Sequence, residues 1–230
     1  MVKNKDHKKQ LEVIKSLFEN AKNFNQEKQV NLKLAATQPA FDGKRKVYIH
    51  TNDSKAIVES INYFQSIGIQ NLVLVSGQAT EPVMGFIKKS SVPVVVAAVH
   101  DLPDQDDRSV DAGYTTAIKL HQAGILVAIG YPGNMGSRNL AFTAGTLVSY
   151  GMEKEQALKL ITANAAKILG IDENYGTLET GKSATLIITE GDALDMQGNI
   201  LDAAFIDGRK INLNGRQQIL NQRFLDKYDK

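Results

Sequence analysis

Cysteine is absent from the 230 residues, so disulfides, thiolate metal sites, iron–sulfur clusters and a cysteine nucleophile are excluded. Long apolar runs are also missing. The strongest, Val92–Val99, spans eight residues and contains Pro93, whereas a membrane helix needs about 20 apolar residues. Neither charge is in large excess, since 27 Lys and Arg stand against 25 Asp and Glu. We therefore expect no nucleic-acid partner and no membrane partner.

Targeting signals are equally scarce. The first ten residues, MVKNKDHKKQ, are charged and lead into no apolar core of the kind that a secretory signal peptide carries. Because the chain contains no thiol groups, its composition does not indicate whether the protein resides in an oxidising or a reducing compartment. The localisation of the protein stays open at this stage.

The first 170 residues alternate between apolar runs and helical patterns. This alternation predicts right-handed βαβ units and a parallel sheet. Four such units fit either part of a closed barrel or an open doubly wound sheet, and the pattern alone does not decide between them. The predicted strands are Val47–His50, Ile69–Val75, Val92–Val99 and Ile125–Ile129. The predicted helices between and after them are Ser54–Ile67, Thr80–Lys89, Thr115–Ala123, Leu140–Tyr150 and Lys154–Leu169.

The pattern changes after Gly170, where regularly spaced glycines separate short strands. These strands predict an antiparallel β module, followed by an amphipathic helix after Asn214. The sequence thus divides into residues 1–170, 171–213 and 214–230. The predicted strands of the module are Ala184–Thr189, Ala203–Ile206 and Lys210–Leu213.

Candidate functional side chains follow the predicted strands, because parallel α/β folds bind ligands at the carboxyl ends of their strands. His50 ends the first strand and His100 follows the third, where they could act as metal ligands, as an acid/base pair, or only as hydrogen-bond donors to loops. If both are functional, we expect them at one common site. Arg138 and Asn139 come after the fourth strand, where Arg138 could hold a carboxylate or phosphate or form a structural salt bridge.

From Leu140 onward, a series of motifs occurs in a specific order over about 70 residues, beginning with Ala144-Gly145 and Tyr150–Met152 and continuing with three longer motifs. They read ITANAAKILG at 161–170, GTLETGKSATLII at 176–188 and FIDGR at 205–209. This series resembles the C-terminal end of the amidohydrolase superfamily, in its imidazolonepropionase-like branch. The resemblance implies an α/β fold, namely the last four βα units of a (β/α)8 TIM barrel followed by a small antiparallel β-sandwich segment.

The resemblance also implies a function. It suggests the C-terminal part of a hydrolase acting on non-peptide carbon–nitrogen bonds, with His50 at the position of a metal ligand. His100, Arg138 and Asn139 would contact a small-molecule substrate. The alternative is a catalytically inactive module that binds a small molecule or a partner on the same scaffold. A flavodoxin-like receptor domain with an added β module is a third possibility, which the motifs after Gly170 disfavour.

The resemblance further implies that most metal ligands of the family are missing. The sequence contains no H-x-H pair, and the family's later ligand positions fall near Ser76 and Gly130. Acidic residues such as Asp195 lie in the β module, away from the strand ends. We therefore expect a degenerate site that binds no metal alone, and zinc, iron or manganese only if an absent N-terminal half supplies ligands. Half a barrel leaves sheet edges open, so that half or a second copy should cover them.

Overall fold

The computed structural model describes residues 7–25, 30–97, 99–103 and 105–228. The helices are α1 His7–Lys22, α2 Leu32–Thr37, α3 Ser54–Ser66, α4 Met84–Lys89, α5 Ala112–Gln122, α6 Asn134–Ser137, α7 Leu140–Ser149, α8 Lys154–Ile161, α9 Ala163–Leu169 and α10 Arg216–Tyr228. The strands are β1 Val47–His50, β2 Leu72–Ser76, β3 Val94–Ala97, β4 Val127–Gly130, β5 Leu186–Thr189, β6 Leu201–Ile206 and β7 Arg209–Lys210. Within these described ranges, no helix has the length and apolar character needed to cross a membrane.

The first four strands form one parallel sheet in the order β1-β2-β3-β4, which confirms the predicted α/β class. Residues at the helix ends determine where the helices between the strands begin and end, as α3 illustrates. The carboxylate of Asp53 caps α3 by accepting a hydrogen bond of 2.8 Å from the Ala56 N–H. Gly68, which follows α3, has a φ of 101° and helps to end this helix. A doubly wound sheet needs a reversal of strand order, and these four strands contain none.

Five helices, α3, α4, α5, α7 and α8, pack on one face of this sheet. Strand residues that point toward them are buried, as Ile49, Leu74, Val96 and Ile129 illustrate. They join the buried apolar residues of α3, α4, α5, α7 and α8 in one core. Because side chains alternate along a strand, the intervening strand residues point to the opposite face.

We call that opposite side the open face. The register places His50, Val75, Val95 and Ala128 in one row across it. His50 is exposed, Val75 and Val95 are partly exposed, and Ala128 is buried beneath Ile168 of α9. The open face is thus largely apolar, and among the described residues α9 covers the end nearest the strand starts.

The helix α9 covers the end of the sheet where the strands begin. The side-chain amide of Asn164 donates a hydrogen bond of 2.9 Å to the carbonyl of Val127. The ammonium of Lys46, just before β1, donates to the carbonyls of Lys167 and Ile168 at the end of α9. These bonds tie both ends of α9 to residues at or just before the strand starts.

One predicted helix is in fact two. The apolar spacing predicted a continuous helix over Lys154–Leu169, but the chain breaks at Thr162, with φ of −124° and ψ of −94°. The Thr162 hydroxyl donates to the Leu158 carbonyl at 2.8 Å, an alternative to regular helical bonding that threonine provides. The break turns α9 out of the helix layer and over the strand starts. The predicted helix Thr80–Lys89 likewise begins as a 3₁₀ turn, Gln78–Val83, around Pro82.

The β module is a three-stranded antiparallel sheet in the order β5-β6-β7. In the described residues it is a single sheet rather than the expected sandwich, and β7 ends at Lys210 instead of Leu213. Asp207 and Gly208 connect β6 to β7 with φ values of 49° and 78°. Two positive φ angles are typical of a type I′ hairpin turn, which favours the Asp-Gly pair. The Asp207 carboxylate accepts hydrogen bonds from the Ser183 and Tyr175 hydroxyls.

Candidate functional site

His50 occupies the predicted position at the end of the first strand. It is the last residue of β1 and projects from the open face. Tyr48, two residues earlier, shares this face and is 39% exposed. Ser76 ends β2 on the helix-covered face, where it is buried and its hydroxyl donates to the Asn52 side chain at 3.4 Å. Of the predicted metal-ligand positions on β1 and β2, His50 therefore lies on the open face, whereas Ser76 lies on the face that the helices cover.

His100 lies on the other side of the sheet, against the helix layer. Its Nε2 is 3.0 Å from the hydroxyl oxygen of Thr146 in α7. Its ring centroid is 5.8 Å from that of Tyr114 in α5, and Tyr114 stacks on Tyr150 at 4.7 Å. These contacts correct the prediction of a common site for the two histidines. The chain leaves β3 at Ala97, and the turn that follows carries His100 outward toward the helices.

His100 lines a cavity of about 670 Å³, which we call the α7 cavity. Residues of α7 form one wall, and the segment 192–196 of the β module forms the other. Asn139, which immediately precedes α7, also lines the cavity, so the structure brings two of the predicted substrate residues together. The described lining residues are His100, Tyr131, Asn139, Phe142, Gly145, Thr146, Val148, Ser149, Asp192, Leu194, Asp195 and Met196.

Two acidic residues of this cavity were missed from the sequence. Asp195 was expected away from the strand ends, and the structure instead places it with Asp192 and His100 in one lining. The segment folds back locally because Asp192 Oδ1 accepts a hydrogen bond of 2.9 Å from the Leu194 N–H. Asp195 Oδ1 does the same for the Gln197 N–H at 3.1 Å. These short-range turns of Asp are a recognisable sequence signal, but they do not indicate where the segment packs.

The 192–196 segment is held against α7 and the start of α8 by three contacts. Leu194 is only 5% exposed and belongs to the core beneath the helices. A Cβ built on Gly145 would lie 2.1 Å from the Leu194 carbonyl oxygen, so only glycine allows this approach. The Lys154 ammonium lies 2.7 Å from the Asp192 carboxylate. Its hydrogen bond, with that from Leu194, holds the pKa of Asp192 below the ordinary value.

A second close approach positions the turn that carries His100. A Cβ built on Gly113 in α5 would lie 2.7 Å from the carbonyl oxygens of both Val99 and Asp101. The first turn of α5 therefore packs directly on the backbone that flanks His100.

Arg138 and His50 lie apart from this cavity. Arg138 is exposed at the end of α6 and, unlike the adjacent Asn139, is not part of the lining. Neither is His50, which projects from the opposite face of the sheet. The structure therefore separates the four predicted site residues into a pair in the α7 cavity and two outside it.

The family resemblance implies a metal centre, which several side chains would have to form together. Over the ranges that the structure describes, no group of three or more His, Asp or Glu side chains is placed to hold a metal ion. Structural and catalytic zinc sites need at least three protein ligands. The described side chains alone therefore do not form such a ligand set.

Comparison with known proteins identifies the family. The model of the Amidohydrolase family matches residues 14–213, and the chain belongs to that family. This confirms the resemblance found in the motifs after Leu140. The match covers the parallel sheet, its helices and the β module, and it ends just before α10.

The similar proteins agree with this assignment. The imidazolonepropionase of Flavobacterium psychrophilum is 27% identical over 175 residues, which cover 71% of this chain and 40% of that protein. A 5-methylthioadenosine/S-adenosylhomocysteine deaminase of Moorella thermoacetica is 34% identical over 90 residues, covering 34% of this chain and 21% of the deaminase. The crystal structure of an amidohydrolase from Thermotoga maritima superposes with a TM-score of 0.78 at 26% identity, covering 87% of this chain and 55% of that one. The matched part of the chain thus covers less than half the length of these curated relatives.

Proposed function

We propose that this chain is the C-terminal part of a hydrolase that cleaves non-peptide carbon–nitrogen bonds. The observation that carries the proposal is the apolar open face, with His50 at the end of β1, in a chain whose residues 14–213 match the Amidohydrolase family. The relatives bear the names of enzymes, imidazolonepropionase and a deaminase. Their names favour catalysis over the alternative of an inactive binding module.

The parallel sheet corresponds, in this proposal, to the last four strands of a (β/α)8 barrel. The strands run in sequential order with their helices on one side, as barrel strands do. They are also staggered: His50, the last residue of β1, is level with Ala128, the second residue of β4. Stagger of this kind accompanies strand tilt in closed barrels. The open face would be the barrel interior.

The partner in this proposal is the N-terminal half of the barrel or a second copy of the chain. The open face exposes valine side chains, and β1 and β4 lie at the two edges of the sheet. Unpaired edges and exposed apolar strands favour association. Sedimentation velocity at several concentrations tests this point, because a species that stays at 25.2 kDa throughout would contradict pairing with a second copy.

A divalent metal ion, zinc, iron or manganese, would then be shared between this chain and its partner. His50 would supply one ligand from the open face, and the remaining ligands would come from the other half. Such an ion supplies Lewis acidity for hydrolysis. His100 and Asn139 would hold a small molecule in the α7 cavity, on the other side of the sheet from that ion, and Arg138 would contact it from outside the lining.

The test compares two histidine variants in the protein assembled with its partner. We expect His50→Ala to abolish turnover of a panel of cyclic amides, linear amides and aminopurines, measured by ammonia release or ring absorbance. His121→Ala is the matched control, since His121 lies in α5, away from the open face, and should keep full turnover. Equal turnover in the two variants would refute the role of His50. Absence of any turnover in the assembled wild-type protein would support the binding-module alternative instead.

A further inference from the structure

We propose that the α7 cavity binds a small organic cation with N–H donors, such as a guanidinium or a primary ammonium group. The inference deepens the proposed function, because it names the chemical group that His100 and Asn139 would contact. Three properties of the cavity support this inference. They are the negative charge of its lining, the hydrogen bond between His100 and Thr146, and the aromatic rings of the lining.

The lining charge is negative. Asp192 and Asp195 are its acidic members, and among the described lining residues there is neither lysine nor arginine. Lys154 lies outside the lining and forms an ion pair with Asp192 at 2.7 Å, which offsets that charge. Asp195 is exposed, and its Oδ1 accepts only a neutral backbone N–H from Gln197. The carboxylate of Asp195 therefore gives the cavity a net negative charge.

The hydrogen bonds of Thr146 determine what His100 offers to a ligand. The Thr146 hydroxyl donates to the Phe142 carbonyl at 3.1 Å, and that carbonyl can only accept. With its proton used there, the hydroxyl oxygen must accept from Nε2–H of His100, 3.0 Å away. A neutral imidazole that carries its proton on Nε2 has a lone pair on Nδ1. In this tautomer, His100 adds an acceptor to the lining.

Aromatic and soft side chains complete the site. Tyr131 and Phe142 line the cavity together with Met196. The faces of aromatic rings attract cations, and a carboxylate close by strengthens the preference. A Cβ on Gly136 would overlap the Tyr131 ring at 1.8 Å, so the ring is packed against α6. The volume of about 670 Å³ is within the range of small-molecule sites.

Competing ligand classes fit the lining less well. An anion would face the Asp195 carboxylate without a lysine or arginine in the described lining to offset it. A bare metal ion lacks a suitable set of side chains in the part of the chain that the structure describes. A cation with several N–H donors matches the acceptors of Asp195 and His100 together.

The experiment titrates two probes of the same shape into the full chain. Methylguanidinium carries the positive charge, and N-methylurea is its neutral analogue. We follow the backbone NMR signals of His100 and Thr146. We expect saturable shifts with methylguanidinium and at least about tenfold weaker binding of N-methylurea, a difference of about 1.4 kcal/mol. Equal affinity for the two probes, or no saturable shift with methylguanidinium, would overturn the proposal.

Two variants test whether the Asp195 carboxylate is the negative charge that binds methylguanidinium. Asp195→Asn keeps the turn acceptor for Gln197 but removes the negative charge, and should weaken methylguanidinium binding about tenfold. Asp202→Asn is the matched control, because Asp202 is an exposed aspartate of β6 that is not part of the lining. Unchanged affinity in Asp195→Asn contradicts the proposal. If Asp195→Asn does not fold, the comparison of the two probes on wild-type protein still decides. Neither measurement involves turnover, so the outcome is independent of the His50 test.

Discussion

Replacing Gly145 with alanine tests whether the β module is packed on α7 as tightly as the structure indicates. The new Cβ would lie 2.1 Å from the Leu194 carbonyl oxygen and 3.1 Å from its carbonyl carbon. Since ordinary contacts begin near 3.5 Å, the 192–196 segment must retreat by roughly 1 Å or more. The atoms in the way belong to the backbone, so no side-chain rotation relieves the overlap.

The expected cost follows from what the retreat removes. Alanine in a helix interior gains about 1 kcal/mol over glycine. Withdrawing Leu194, now 5% exposed, from the core loses about 1.5–3 kcal/mol. The half-exposed pair of Lys154 and Asp192 contributes at most about 1 kcal/mol more. We therefore expect Gly145→Ala to lower the free energy of unfolding by about 0.5–3 kcal/mol.

Equilibrium unfolding in urea measures this change, and Gly85→Ala is the matched control. Gly85 is also helical, in α4, but a Cβ there meets nothing within 4 Å. Its substitution should leave stability unchanged or raise it by up to about 1 kcal/mol. A Gly145→Ala protein as stable as wild type would refute the reasoning.

A double-mutant cycle with Leu194→Ala strengthens the test. Leu194→Ala alone should cost about 2–5 kcal/mol, the usual range for a buried leucine. In the Gly145→Ala background the same change should cost much less, because Leu194 would already be displaced. Additive effects would show that Gly145 and Leu194 do not act through one contact.

Three further predictions concern side chains outside this contact. The hydrogen bond from Ser183 is the first cause that lowers the pKa of Asp207 below its ordinary 3.8. Since the folded pKa is the lower one, the carboxylate stabilises the fold above pH 3.8 and loses this effect as pH falls through the folded pKa. Melting temperatures of Asp207→Asn and wild type should therefore differ at neutral pH and converge in acid. Lys46→Met should cost about 1 kcal/mol in urea unfolding, because it removes a donor to the end of α9, whereas Lys44→Met in the exposed loop should cost nothing measurable. His50→Ala should change stability by less than about 0.5 kcal/mol, since the side chain is exposed, and a large fall in melting temperature would show that it is structural.

Most of the parallel sheet could be predicted from the sequence. The predicted strand Val47–His50 is confirmed residue for residue, because its apolar residues stand between turn signals. The predicted strand Val92–Val99 is observed as Val94–Ala97, with Ala98 outside the described residues. The helix break at Thr162 was missed because the apolar spacing continues through it. At Thr162 the side-chain hydroxyl bonds to the Leu158 carbonyl and the helix breaks, although the apolar residues keep the spacing of a continuous helix.

The candidate site was predictable only in part. A residue at the end of a strand can be located from the strand itself, which is why His50 was placed correctly. The α7 cavity depends instead on residues far apart in sequence, such as Gly145 and Leu194, that meet only in the folded chain. Asp195 was missed for this reason. The direction of His100 could not be predicted either, because it follows a turn whose course depends on packing against α5.

The burial of Leu194 bears on where this protein can be divided. Leu194 belongs by sequence to the module after Gly170, yet its side chain completes the interior beneath the helices. Severing the polypeptide at Gly170 would leave a leucine-sized void worth about 2–5 kcal/mol, against a total of about 5–15 kcal/mol for an ordinary domain. Calorimetry of the intact protein should accordingly record one cooperative melting event for both parts. We therefore expect the sequence boundary at 170 to lie within one folding unit.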